Sequence, residues 1–435
     1  MPRANGSLVR HTLARMHDRL APLSATQARR RMVVVAASGL LFGLFASGAD
    51  VVLPLWVSRE LGYSAADWAH LRSLRMAGVL VGVIFLGALS DRFGERLLGA
   101  LSMFGTAAIL VVLGLWKGAG LWVVMPLYGA LVSTAFVNLN TLTQMVSDQR
   151  QGLANVIYRS TGAIAGVAAP IAATALAAAW GGYPVVLLVL AVLLTAAAIA
   201  LLRYEVLSVP APLRGLGAEI RESVTSYRAA LRERKLMWMI HLSQIWGNVL
   251  TGVGTFAAIR FTQELGQTDE QFGAVCAVAG VAALLATVAT GLILDRVSLR
   301  RFCAVWAVVC GGCAALMGAT DSLALSIVGF VAYAPFMSVL IAPTSMWVSR
   351  AAESCTRAAA FTVHKVISAG HVAAAVWAAG LLEPILGMRG VIFWGGVLGV
   401  LFGGLFLVLP EPPRPVGAVE LPGTDVAPAE APIRA

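Results

Sequence analysis

The sequence predicts an all-α polytopic membrane protein, twelve transmembrane helices arranged as two pseudo-symmetric six-helix bundles. Of its 435 residues, 59% are hydrophobic and only 12% charged. A water-soluble chain of this length cannot keep so much apolar surface dry. Apolar runs of about 20 residues, enough to cross a hydrocarbon core, recur six times on each side of a polar interruption. The halves also repeat one another at a single offset, as an internal duplication requires.

The runs lie near 33–57, 68–89, 97–116, 120–146, 153–179 and 183–203, then near 236–260, 272–294, 301–319, 323–348, 358–380 and 389–410. Two bundles over 32–203 and 236–410 follow, their starts 204 residues apart (236 − 32). Residues 1–31 form a basic arm ending in Arg29, Arg30 and Arg31. No short apolar core with a small-residue cleavage site follows it, so it reads as a cytoplasmic arm against anionic lipid and not as a signal peptide. Residues 204–235 are polar and Arg-rich. Leu216, Ile220, Val224, Tyr227 and Leu231 recur there at helical spacing, predicting an amphipathic surface helix in the linker. The Pro- and Ala-rich tail, 411–435, reads as disordered.

The net charge of +10 is not a nucleic-acid footprint. Of 32 Lys and Arg, 24 fall in the arm, the even-numbered loops and the tail, leaving 8 elsewhere (32 − 24). That is the positive-inside pattern of a multi-pass protein with both termini cytoplasmic. The five cysteines, Cys276, Cys303, Cys310, Cys313 and Cys355, sit in the second half. Cys310 and Cys313 have a redox-like spacing, but on an apolar helix without a nearby His or acid they read as small packing residues.

Between the second and third runs lies Gly87-Ala-Leu-Ser-Asp-Arg-Phe-Gly-Glu-Arg96, and between the eighth and ninth Gly291-Leu-Ile-Leu-Asp-Arg-Val-Ser-Leu-Arg300. Gly87/Gly291, Asp91/Asp295, Arg92/Arg296 and Arg96/Arg300 match at the offset of 204 (291 − 87). This loop resembles the G-x-L-[AS]-D-R-x-G-R-[RK] loop between helices 2 and 3 of the major facilitator superfamily. Glu95 stands where a base is usual, and Ser298 replaces the inner glycine of the second copy. The resemblance implies alternating access between two bundles and a cytoplasmic gate. In that gate Asp91 faces the N-terminus of helix 11 and Arg96 pairs with Asp148, with Gly87, Arg92, Asp295 and Arg296 as further gating positions. Gly162 to Pro170 loosely resembles the family's G-x-x-x-G-P motif of helix 5, associated with antiporters, with Ala169 in place of its second glycine.

Polar residues inside apolar runs mark the internal path, because an unpaired charge facing lipid is expensive. Helix 1 carries Gly39, Gly43, Ser47, Asp50 and Pro54 on one face, and Asp50 is the acid deep in a span. At about 1.5 Å per residue, Asp50 lies ~28 Å from Arg31 and Arg75 ~24 Å from Asp91. Arg72, Arg75 and Asp50 therefore share a height, as an Asp50–Arg75 ion pair or as a proton-carrying Asp50. Helix 5 presents Asn155, Arg159, Gly162, Gly166 and Pro170; helix 11 presents His364, Ser368 and His371 with Lys365 beside them. Arg159 and Lys365, each about 12 Å from its helix start, read as an anion site or as snorkelling cations. His241, Gln244, Asn248, Thr251 and Thr255 stripe helix 7, and Asn138, Thr141 and Gln144 stripe helix 4. A polar stripe on a span faces water, and the resemblance places helices 1, 4, 7 and 10 around the central cavity.

No phosphate-binding loop, zincin motif or nucleophile elbow is present, so neither an ATP-driven pump nor a membrane hydrolase is expected, and no cofactor or metal. The sequence reads as a secondary transporter, expected to act as a monomer, whose partners are a small-molecule substrate, protons and the lipid bilayer. Asp50 is the expected proton carrier. Arg75, Asn138, Arg159, Gln244, Asn248, His364, Lys365 and His371 are the expected substrate contacts. The reading leans to efflux by proton antiport; uptake of an organic anion by proton symport, or a non-transporting sensor or scaffold on the same fold, are the alternatives.

Overall fold

The computed structural model describes residues 25–86, 89–90, 93–115, 120–146, 151–204, 234–293, 297–335 and 357–409, with isolated positions 225, 232, 339, 343, 344, 347 and 348. Gly87, Asp91, Arg92, Asp148, Asp295, Arg296, Cys355, most of the linker and the tail lie outside the described residues.

Every expected apolar run contains a helix among the described residues. The first half comprises α1 (Ala25–Arg59), α2 (Ala65–Val81, continued by a π turn over Gly82–Leu86), α3 (Glu95–Leu115), α4 (Leu121–Gln144), α5 (Gln151–Trp180) and α6 (Tyr183–Leu202). The second half comprises α7 (Arg234–Gly254), α8 (Asp269–Ile293), α9 (Leu299–Ala319) and α10 (Leu323–Tyr333). A last run, Arg357–Gly403, is broken at Gly387 (φ 67°, ψ 167°), giving α11 before it and α12 after it. Among the described residues, eight helical runs are long and apolar enough to cross a membrane, the run holding α11 and α12 counting as one. Large exposed apolar side chains such as Leu115, Val123, Val192, Val305 and Ile385 give the outside a surface suited to lipid.

Local chemistry sets the helix ends. Ser64 caps α2 in a reciprocal box: its Oγ accepts from the Asp67 amide at 3.1 Å while its own amide donates to the Asp67 carboxylate at 3.0 Å. The two copies of the loop motif end differently for a visible reason. Gly94 takes φ 83°, which favours glycine. Its counterpart Ser298 stays extended and uses its hydroxyl to cap α9 at the Arg301 amide, 3.3 Å away. The lost glycine is therefore an exchange of a turn for a cap.

The packing repeats between halves. In the first half α1 packs on α5 and α6, α2 on α4, and α3 on α4 and α6; in the second, α7 packs on α11 and α12, α8 on α10, and α9 on α10 and α12. The halves meet through α2 against α11 and α5 against α8, one contact made twice. Small residues allow this approach. A Cβ at Gly280 would lie 2.8 Å from the Gly166 carbonyl, and one at Gly273 3.0 Å from the Pro170 carbonyl. Within the first half α2 and α4 are closer still: a Cβ at Gly78 would lie 1.8 Å from the Pro126 carbonyl.

Arg31 departs from the expected free arm. α1 starts at Ala25, and Arg31 is buried, its guanidinium donating to the Met145 carbonyl at 3.3 Å and lying 5.3 Å from the Tyr204 ring centroid. Three consecutive arginines at a helix start look alike in sequence, but one in three points into the bundle.

Candidate functional site

Asp50 and Arg75 form a 2.9 Å ion pair between α1 and α2. The carboxylate side chain is 61% exposed although its chain neighbours Ala49, Val51 and Val52 are buried, whereas Arg75 is 12% exposed. The acid is thus open to its surroundings while its partner is sunk into the wall. The Arg75 guanidinium also lies 5.1 Å from the Tyr128 ring centroid of α4, a cation–π contact that holds it when the carboxylate is engaged elsewhere. Arg72, one turn earlier on α2, feels both the Asp50 charge and the Tyr333 phenol of α10. Tyr333 in turn donates to the Leu250 carbonyl of α7 at 2.5 Å. A line of polar groups therefore runs from Asp50 across the boundary between halves.

Arg159 on α5 and Lys365 on α11 are both exposed, and each cation lies within electrostatic reach of the other. Like charges so placed repel one another unless something negative sits near them.

The expected α7 stripe meets the expected α11 stripe as a polar seam. His241 Nδ1 contacts His371 Nε2 at 3.0 Å, and Gln244 Nε2 contacts His364 Nε2 at 2.7 Å. Ser368 donates to the Asn248 side-chain oxygen at 3.5 Å. His364 is buried, so this member faces its helix partner. Thr251 and Thr255 turn their hydroxyls back onto the Gly247 and Thr251 carbonyls, the usual way for a threonine to satisfy itself in a span.

Asn138, expected to line the path, is buried instead. Its amide donates to the Thr134 carbonyl at 2.9 Å, its oxygen accepts from Ser90 at 2.9 Å, and its Cβ lies against Gly99 of α3. It pins the end of α2 to α4. The side chains of Gln144 and Asn155 lie outside the described residues. Arg96, expected to pair with Asp148, donates to the Tyr204 carbonyl at 3.0 Å, and Tyr204 donates to the Leu142 carbonyl at 3.0 Å. Burial pushes the Tyr204 phenol up to about 12, so it stays a neutral donor.

The end of the molecule where α1 finishes and α8 begins carries residues that sequence reasoning missed. Arg59 pairs with Asp269 at 2.9 Å, joining α1 to α8. Tyr183 donates its hydroxyl to the same carboxylate and its amide to Glu60 at 2.6 Å. Below them Trp68 donates to the Thr255 carbonyl at 3.2 Å and Ser73 to the Ala373 carbonyl at 2.7 Å, both between halves. His70 packs against Trp377 with ring centroids 4.4 Å apart and planes tilted by 44°, and a Cβ at Gly380 would lie 2.9 Å from the His70 Nε2. The available signal was a pair of charged helix ends, Arg59-Glu60 and Asp269-Glu270, but nothing local says which loop meets which.

Among the described residues, no group of three His, Cys, Asp or Glu is placed to hold a metal ion, and Cys276, Cys310 and Cys313 are free thiols.

A sequence model of the Major Facilitator Superfamily matches residues 35–262, just over half of the chain. A curated relative, multidrug resistance protein MdtG of Escherichia coli O17:K52:H18 (strain UMN026 / ExPEC), is 26% identical over 286 residues, 63% of this chain and 68% of that protein. Among solved structures, a mutant form of the nucleoside transporter NupG superposes with a TM-score of 0.75 at 11% identity, covering 87% of this chain and 99% of that one. A POT family transporter in complex with a thioalcohol-conjugated peptide gives a TM-score of 0.72 at 15% identity, covering 87% and 95%. Those structural likenesses establish the fold.

Proposed function

The chain belongs to the Major Facilitator Superfamily, and from that premise we propose that it couples protons to the movement of a small organic solute, outward by antiport. That it is a multi-pass membrane transporter and not an enzyme follows from the family and the relatives. The proton, the direction and the solute are our reading.

The observation that carries it is the Asp50–Arg75 pair. A carboxylate in a membrane-spanning helix, 61% exposed and held by one cation sunk in the wall, is placed to take a proton from water and let go of its partner. Protonation would remove the charge that holds Arg75, leaving it on Tyr128. In the cycle we propose, protonated and deprotonated Asp50 favour different arrangements of the bundles, 32–203 and 236–410, about the seam of α2–α11 and α5–α8. Opening and closing at the other end would involve Gly87, Asp91, Arg92, Arg96, Asp148, Asp295 and Arg296 as gating positions. The chain would sit as a monomer in a bacterial inner membrane with both termini in the cytoplasm, following the charge distribution.

For direction, the likeness to a protein named for multidrug resistance supports export. The neighbouring cations Arg159 and Lys365 favour the second reading, symport of an organic anion, with Arg75, Gln244, Asn248, His364 and His371 as further candidate contacts.

The test is purified protein in liposomes carrying a pH-sensitive dye, under an imposed proton gradient, challenged with a panel of neutral, cationic and carboxylate solutes. Solute-dependent dissipation of the gradient is expected; flux of a solute that ignores the gradient would overturn the proton coupling. The sign of proton movement on adding solute separates antiport from symport.

A further inference from the structure

We propose that His241 and His371 form a second proton-binding site, in the second half, that takes up one proton as a unit. This inference deepens the proton-coupled reading and rests on it for its role in transport, though not for the site itself. His241 Nδ1 and His371 Nε2 are 3.0 Å apart, and the ring centroids 5.0 Å. At that separation one facing nitrogen carries hydrogen and the other a lone pair. The remaining nitrogen of His371, Nδ1, is buried and among the described residues has no hydrogen-bond partner.

The protonation states follow from counting. With both rings neutral, one N–H···N bond joins them and each ring has one further nitrogen. Adding one proton to the outer lone pair gives an imidazolium and an imidazole, and the N–H···N bond survives, now charge-assisted. A second proton would put hydrogens on both facing nitrogens, breaking the bond and setting two cations against each other. The pair therefore holds one extra proton and no more. No bond other than N–H changes, and the proton comes from water.

The surroundings agree. On α11 itself stand His364 and Lys365, and Arg234 and Lys235 begin α7. α2, packed on α11, brings His70, Arg72 and Arg75, with Asp50 beyond Arg75; α9 brings Arg300, Arg301, Cys303 and Cys310; α12 brings Arg389 near its start. Among these, His241 is the one acting on His371 electrostatically, and Lys365 acts on its neighbour His364. Among the described residues no carboxylate, Glu383 of α11 and Asp67 of α2 included, is hydrogen-bonded to either ring, so the hydrogen bond between the rings is what stabilises the added proton.

The experiment is a proton-uptake titration of the full-length protein in lipid nanodiscs between about pH 8 and pH 5, the window in which histidine titrates. Wild type is compared with His371→Gln, His241→Gln and the double variant, each checked for its melting transition. The double variant is expected to take up one proton fewer than wild type, while each single variant, left with one ring, takes up the same number. A deficit of two in the double variant means independent rings, and a deficit of none means a pair that does not titrate; either overturns the proposal. Wild-type protein labelled with ¹⁵N-histidine supplies a second measurement that does not depend on the folding of any variant. The two rings should respond together in one step, and separate midpoints would overturn the shared site. A correct proton count with no gradient-driven flux would tell against proton-coupled transport and leave the site standing.

Discussion

Arg59 at the end of α1 and Asp269 at the start of α8 hold the two halves together through a 2.9 Å ion pair, with Tyr183 of α6 donating to the same carboxylate. The pair is partly exposed, 40% at Arg59 and 18% at Asp269, so its net worth is about 1 kcal/mol. In the alternating cycle proposed above, such a bond would be made in one state and broken in the other. Asp269→Asn keeps the shape and removes the charge. The expected outcome is about a fivefold shift toward the state open at this end, since 1.4 kcal/mol is a tenfold change. Maleimide labelling of a Thr255→Cys reporter in a background without the native cysteines reads it; Thr255 is buried in the present state. Unchanged labelling would make the pair a bystander.

The Asp50–Arg75 pair predicts an asymmetry. In Asp50→Asn the mostly buried Arg75 keeps its charge but loses its counter-ion, with Arg72 close by. A loss of ~1–2 kcal/mol is expected, between that of an exposed and a buried pair. Adding Arg75→Gln should recover part of it, because an orphaned cation is worse than no cation. Thermal unfolding of the two single variants and the double variant measures this. In liposomes Asp50→Asn should keep solute exchange across the membrane and lose its response to a proton gradient. Retained gradient dependence would remove Asp50 from the coupling step.

The helices were legible because a span needs about 20 apolar residues and the period of the chain is visible in its loops. The Asp50–Arg75 height match was also legible, since rise per residue converts sequence to depth along a helix. Lateral neighbours were not. Gly162 stood out in the helix 5 motif, yet a Cβ there would meet nothing within 4 Å, whereas Gly78 and Gly129, which drew no attention, let α2 and α4 nearly touch. Asn138 on an apparent polar stripe turned out to pin α2 to α4, because a stripe gives a face but not what the face meets. The Arg59–Asp269 closure joins residues 210 apart (269 − 59), and only the assembled bundle brings them together.

That contrast is itself testable. A methyl at Gly78 would stand 1.8 Å from the Pro126 carbonyl, a backbone atom that cannot swing aside. Gly78→Ala should therefore destabilise by roughly 2–3 kcal/mol as α4 is pushed off α2. Gly162→Ala, with open space around it, should be neutral or slightly stabilising, because alanine favours helix by about 1 kcal/mol over glycine. Melting transitions of the two purified variants decide it, and equal losses would refute the close approach.

Arg159 and Lys365 give the last prediction, and it concerns what the protein carries. Both side chains are exposed and each lies in the other's field. An anion between them relieves the repulsion and gains two charge-assisted contacts, whereas a neutral solute gains neither. Removing one cation with Lys365→Gln or Arg159→Gln should weaken a carboxylate solute by about tenfold, taking one charge-assisted hydrogen bond as 1.5 kcal/mol, and leave a neutral solute of similar size within twofold. Competition between the two solutes in the same liposomes makes the comparison internal. If both lose equally, the cations serve the fold, and if only the carboxylate loses, selectivity for anions is written in these two helices. Arg159→Lys sharpens the result: it keeps the charge but not the planar fork, so a retained preference would assign the effect to charge and a lost one to bidentate geometry.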